Sequence, residues 1–225
     1  GTFGDFGTYS FYYSHQITSG EGGMIVCNSD EDYDILLSLR SHGWARNLLK
    51  QKKYERKFKN LDNRFIFLNS GFNLRPTEIQ AAIAKNQFSR INQISKIKNF
   101  NHNSIRKHLK KSKKWNNQFT FIEENKNVKA SWFGLSILIN KPYINKKMKF
   151  LKFLLKAGIE NRPIISGNFI NQPSFKLFKF KANKKTLATS QEIEDRGFFI
   201  GLDNKLIDKK KLEYLEKNLL KISEI

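Results

Sequence analysis

The chain has 225 residues, with 41 Lys plus Arg against 20 Asp plus Glu and a formal net charge of +21. At 39% hydrophobic and 13% aromatic it carries enough apolar side chain to bury a core, which excludes a chain disordered throughout. One cysteine, Cys27, excludes a disulfide framework and a cysteine-only metal site within this stretch, and no run approaches the roughly 18 apolar residues of a membrane-spanning helix.

The length predicts one and a half to two structural units. The opening GTFGDFGTYSFYY has neither a basic nor an apolar signal-peptide region, so the expectation is a soluble, cytoplasmic protein of a reducing compartment. Residues 8–13 (TYSFYY) read as a short strand and Ser14 to Gly23 as a polar, Gly-rich turn. Met24 to Cys27 read as a buried strand. Asp30 to His42 reads as a helix: three acids sit at its start, where the helix dipole favours anions, and Gly43 stops it. Residues 45–68 read as a basic, irregular connection, and Asn69 to Arg75 as a second turn-rich segment. Pro76 and Thr77 open a helix, or helix pair, reaching about residue 112. Beyond it the expected order is strands at 119–122 and 131–139, a helix at 146–157 ended by Gly158, strands at 159–165 and 198–202, and a closing helix at 209–222. That is a small α/β unit packed beside a helix. His102 and His108, in a lysine-rich helical stretch, read as surface residues, and Trp115 and Trp132 as core.

A charge of +21 suits a nucleic-acid or acidic-membrane partner. Yet the lysines are scattered in short runs near residues 50, 112, 147 and 210, the ordinary surface of solvated helices, and no RNP-type motif, zinc finger or recognition helix accompanies them. The expectation is therefore no nucleic acid and no membrane, with a non-enzymatic basic nucleic-acid-binding module as an alternative.

The chemically informative stretch is Ser10-Phe11-Tyr12-Tyr13-Ser14-His15-Gln16-Ile17-Thr18-Ser19-Gly20-Glu21-Gly22-Gly23. With the run Gly1 to Gly7 (GxFGDxG), Leu39-Arg40-Ser41-His42-Gly43, and Gly71-Phe72-Asn73-Leu74-Arg75-Pro76-Thr77-Glu78-Ile79-Gln80-Ala81-Ala82, it resembles the DegT/DnrJ/EryC1/StrS family of sugar aminotransferases. The resemblance runs the whole length. It implies an α/β, fold-type I pyridoxal-phosphate (PLP) transferase: residues 1–95 as the C-terminal portion of the large cofactor domain, and 96–225 as the small C-terminal α/β domain.

Where the family keeps the lysine that anchors its cofactor covalently, this chain has His15, and an imidazole cannot replace a primary amine in that bond. The departure is similar to the 3-dehydratase branch of the family, in which a histidine is the only catalytic base. One arm of that branch binds a [2Fe–2S] cluster through several cysteines, which Cys27 alone cannot supply. The other arm, which acts on GDP-4-keto-6-deoxymannose and needs no metal, is the better fit. The segment Ser41 to Arg46 and the run Asn161 to Asn168 agree with it.

The resemblance implies His15 as catalytic base, Ser10 as hydroxyl donor to the cofactor phosphate, and Asn73 as the amide reaching the phosphate of a neighbouring subunit in a homodimer. It places His42, Arg46 and Arg75 on the substrate side, where arginine forks suit oxyanions, with Arg162 and Asn168 nearer the sugar. Glutamate would be the amino donor, and a nucleotide-linked keto sugar for surface polysaccharide the substrate; an aminotransferase of the same family is the alternative. It also implies that the chain is the C-terminal part of a longer enzyme, inactive alone, with the partner of the cofactor's pyridine nitrogen lying upstream and a sheet edge left open to aggregation.

Overall fold

Two strands open the first unit. Phe6–Ser10 (β1) and Gly23–Cys27 (β2) pair antiparallel, with Ser10 opposite Gly23, so residues 11–22 form the connection that carries His15. The coordinates are a computed structural model describing residues 3–179, 182 and 184–225. Gly1 and Thr2, at the head of the GxFGDxG run, lie outside the described residues. The chain divides into two compact units, Gly1–Ile91 and Asn92–Ile225.

In the first unit β1 begins and ends earlier than the pattern of residues 8–13 suggests; Tyr12 and Tyr13 belong to the loop. Helix α1 (Asp30–Arg40) forms where the acids predict it, capped by Ser29, whose Oγ accepts from Asp32 N at 3.3 Å. Residues 45–68 are not irregular. They contain α2 (Gln51–Lys57) and a 3-10 turn, Asn63–Phe65. The capping signal for α2 is remote: buried Asp34, on α1, accepts from Leu49 N (2.7 Å) and Lys50 N (3.1 Å). Helix α3 (Glu78–Ser89) starts on a reciprocal capping box between Thr77 and Gln80. Its partner in the expected pair, α4 (Ile91–Lys111), begins after Arg90, whose φ of −103° and ψ of 2° break the helix without Gly or Pro. The first unit's core is small: Ala45, Leu48 and Ile66, with Leu37, Tyr54, Phe58 and Leu68 against them.

The second unit is built on a four-stranded antiparallel sheet: β3 (Phe119–Phe121), β4 (Gly134–Ile139), β5 (Asn161–Arg162) and β6 (Gly197–Gly201), in the spatial order β3-β4-β6-β5. Leu135, Ile137 and Ile139 alternate inward along β4. They meet Ile105 and Leu109 of α4, Phe150 and Leu154 of α5 (Lys147–Lys156), and Leu215 and Leu219 of α7 (Lys209–Leu219) in one core. Phe119, Phe150 and Phe198 close an aromatic cluster with ring centroids 5.9–6.3 Å apart. Each such phenylalanine contributes about 1.5–3 kcal/mol by leaving water.

Two expectations fail here, and one helix forms where none was expected. The strand read over 159–165 is two residues long, because Pro163 cannot donate to a ladder and Ile165 turns to a positive φ of 47°. Helix α6 (Ala188–Arg196), polar and without a side-chain cap, was unreadable; Arg196 Nε fastens its end to Ile139 O at 2.9 Å. His102 is not on the surface. It is fully buried and stacks on Trp132 at 4.1 Å with the rings 4° from parallel. Burial, with Arg106 nearby, drops its pKa to about 4. His108 is half-buried, its Nε2 2.6 Å from Glu216 Oε2. Trp115 and Trp132 pack against the core.

Candidate functional site

The loop between β1 and β2 is held by its own backbone. Phe11 N donates to Gly22 O and Ser19 N to Phe11 O, both at 2.9 Å, and Ser19 Oγ donates to Glu21 O at 2.7 Å. Ser19 is buried beneath these bonds. Gly22 has a φ of 150°, and a Cβ there would lie 2.7 Å from Ser19 Oγ, so the closed loop requires glycine at this position.

Within the loop, His15 N donates to Tyr12 O at 3.0 Å, forming a turn that folds the half-buried imidazole back toward Ser10. His15 Nδ1 lies 3.2 Å from the Ser10 carbonyl. A carbonyl oxygen only accepts, so this bond assigns the hydrogen to Nδ1 and makes Nε2 the basic atom of the neutral ring. The Tyr12 ring meets the imidazole edge-on at 6.1 Å. The hydroxyl of Ser10, on the exposed end of β1, accepts from Tyr12 N at 3.3 Å.

A second cluster forms where two segments zip together. His42 N donates to Phe72 O (2.7 Å), Phe72 N to Leu39 O (2.7 Å) and Leu74 N to Arg40 O (2.9 Å). Gly43 permits this approach: its φ is 86°, and a Cβ would fall 1.7 Å from Asn69 O. The zipper gathers His42, Asn73 and Arg75. Arg75 Nη2 lies 3.4 Å from His42 Nε2, and Arg75 donates to Asn73 Oδ1 from Nε and Nη2 at 3.3 Å each. Because Oδ1 is taken, the NH2 group is the end of the Asn73 amide with hydrogens to offer. Trp44, which sequence reasoning passed over despite its place in the Ser41–Arg46 segment, braces the cluster. Its ring meets His42 at 5.2 Å and carries the Arg75 guanidinium at 5.6 Å.

The structure thus brings Ser10 together with His15, and His42 with Asn73 and Arg75. Arg46 is exposed on the loop after buried Ala45. In the second unit, Arg162 on β5 is ion-paired to Glu160 at 2.8 Å. Asn168 is buried, its backbone N donating to Glu194 Oε2 (2.8 Å) and its amide to Gln191 Oε1 (3.1 Å). These bonds anchor its loop to α6.

The donor set suits a phosphorylated cofactor. A hydroxyl, an amide and a guanidinium on exposed segments are oxyanion partners. The loop itself contains no lysine, and the nearest in sequence, Lys50, is bound to Glu31, whose carboxyl it holds below the usual range. Among the described residues no three His, Cys, Asp or Glu side chains gather as a metal site, and no helix is long and apolar enough to cross a membrane.

Residues 1–215 match the DegT/DnrJ/EryC1/StrS aminotransferase family. The chain is 33% identical over 204 residues to the GDP-4-keto-6-deoxy-D-mannose 3-dehydratase of Escherichia coli O55:H7, covering 89% of this chain and 51% of that protein. The fold superposes on the E. coli GDP-4-keto-6-deoxy-D-mannose-3-dehydratase with bound hydrated PLP at a TM-score of 0.81 and 30% identity, covering 97% of this chain and 55% of that one. A GDP-4-keto-6-deoxymannose-3-dehydratase with a trapped PLP-glutamate geminal diamine gives the same TM-score, identity and coverage. The chain spans about half the length of the relatives it matches. Its fold is that of the PLP-dependent transferases, mixed α and β, as the motifs implied.

Proposed function

The chain belongs to the DegT/DnrJ/EryC1/StrS aminotransferase family, and from that premise we propose that the full-length protein is a 3-dehydratase of a nucleotide-linked 4-keto-6-deoxyhexose, probed first with the GDP-mannose-derived ketone. The observation that carries the reading is His15, standing where the family's lysine stands, with Nδ1 turned to the Ser10 carbonyl. PLP or its pyridoxamine form, when bound, supplies an electron sink and an amine to condense with the ketone.

The residues of this chain do the rest. Ser10 and, from the neighbouring subunit of a homodimer, Asn73 hold the cofactor phosphate. His42 and Arg75, braced by Trp44, together with Arg46, hold carboxylate or diphosphate oxygens, and Arg162 and Asn168 approach the sugar. His15 Nε2 takes a proton at the cofactor's C4′ carbon and gives one to the departing C3 hydroxyl, which leaves as water. A lysine's primary amine would instead return the proton to sugar C4 and complete amino transfer. Overall, keto sugar and glutamate become 4-keto-3,6-dideoxy sugar, 2-oxoglutarate and ammonia. This stoichiometry balances without an external reductant, because oxidation of glutamate supplies the two electrons that deoxygenation consumes. A cytoplasmic enzyme of surface-polysaccharide synthesis fits that chemistry.

The test is to incubate the full-length protein with PLP, glutamate and GDP-4-keto-6-deoxymannose. Ammonia release that requires both glutamate and sugar supports the reading. An aminated sugar with no ammonia means amino transfer instead.

A further inference from the structure

Gln80 lies 65 residues beyond His15 in the chain (80 − 15), yet its side chain reaches the loop that carries the imidazole. Its Oε1 accepts from Thr77 N at 2.9 Å, completing the cap of α3. Its Nε2 donates to Glu21 O at 3.0 Å. The Glu21 carbonyl also accepts from Ser19 Oγ at 2.7 Å, Ser19 N donates to Phe11 O, and Phe11 follows the Ser10 carbonyl that holds His15 Nδ1. One side chain therefore joins two halves of the first unit: the helix start that follows Asn73 and Arg75, and the closed end of the His15 loop. Capping needs only the acceptor atom of Gln80. The donor is spent on the loop, and a helix cap does not call for it.

We infer that Gln80 is a positioning residue for His15, tethering the loop through the Glu21 carbonyl so that the imidazole keeps its Nδ1–H tautomer and Nε2 stays the basic atom. The inference rests on the dehydratase reading for its catalytic consequence, while the tether itself is legible without any reaction. No group touches substrate here; Gln80 acts through Glu21, Ser19 and Phe11. The hydrogen bond is a neutral one, worth about a tenfold change in a local opening equilibrium once the partner group is left unpaired.

Gln80→Glu separates the two roles. A carboxylate at this position keeps the acceptor for Thr77 N, and glutamate is a normal residue of a capping box. It loses the donor and sets two acceptors against each other at Glu21. In the full-length PLP-loaded protein, the expected results are an unchanged melting temperature and amide hydrogen exchange about tenfold faster across residues 15–22. A smaller Nδ1–H population of His15 in ring 15N spectra should accompany them, with kcat about tenfold lower at a KM for the sugar within about twofold of wild type. Gln80→Leu removes both bonds and should lower the melting temperature as well. If the loop amides and the His15 ring signals of Gln80→Glu match wild type, the inference is overturned, whatever the activity. If they change while wild-type protein releases no ammonia, the tether stands and the dehydratase reading falls.

Discussion

The zipper between residues 38–44 and 68–75 sets the register of His42, Asn73 and Arg75, and Gly43→Ala tests it. Two costs arise. Alanine at a φ of 86° stands in the left-handed region, which costs an L-residue about 1–2 kcal/mol. Its Cβ would also lie 1.7 Å from Asn69 O, so reaching an ordinary contact of 3.4 Å requires a movement of about 1.7 Å (3.4 − 1.7) between backbones already joined by hydrogen bonds. Overpacking of that kind costs about 1–3 kcal/mol, for a total of about 2–5 kcal/mol. Gly20→Ala is the control: its φ is 85°, but nothing lies within 4 Å of the added carbon, so only the conformational cost applies. Amide hydrogen exchange of Leu68, Phe72 and Leu74, which bond to Gly43 O, Leu39 O and Arg40 O, reads the zipper directly. Gly43→Ala should lower their protection by about 2–5 kcal/mol, and Gly20→Ala should leave them within about 0.5 kcal/mol. Equal effects of the two variants would refute the argument from close backbone approach.

Two further outcomes follow from the two histidines the sequence treated most differently. His102 titrates near 4 in the fold against an ordinary 6.5, so between those pH values the unfolded chain binds the proton first. Its stabilising contribution is present above pH 6.5 and is lost as pH falls toward 4. The span of about 2.5 units corresponds to roughly 3 kcal/mol, and denaturation of His102→Leu compared with wild type from pH 7 to pH 4 should show that much of the slope removed; parallel curves would contradict the burial account. His15→Lys should abolish ammonia release and give covalent capture of the cofactor on borohydride treatment, read by intact mass; retention of dehydration would remove His15 from the reaction.

How much of this was legible in the sequence depends on how far each signal travels. Helix α1 was readable because its cap, Ser29, and its acids lie within four residues of its start. Helix α2 was not, because the carboxylate at its start belongs to Asp34, 15 residues from Leu49 in the chain. The fate of His102 was recoverable. Lys98, Asn101, His102, Ile105 and Leu109, the buried positions of α4, recur every three or four residues apart from the adjacent Asn101 and His102, a stripe hidden because three of its five members are polar. Asn101 spends its amide on Asp203 O, Lys205 O and Ile207 N, a partnership over a hundred residues long that no local pattern announces. At the site, the motifs gave His15, Ser10, Asn73 and Arg75 by type. Only the fold revealed which atom of His15 is held, and that Trp44 and Gln80 brace what the motifs merely list.

The central claim is that the cofactor of this protein is never tethered to the chain, so that elimination takes the place of amino transfer. Borohydride reduction of the full-length, PLP-loaded protein, followed by intact mass measurement and peptide mapping of residues 11–22, addresses it directly. The account predicts an unmodified mass and full release of the cofactor on denaturation. A cofactor adduct retained on the polypeptide would contradict it.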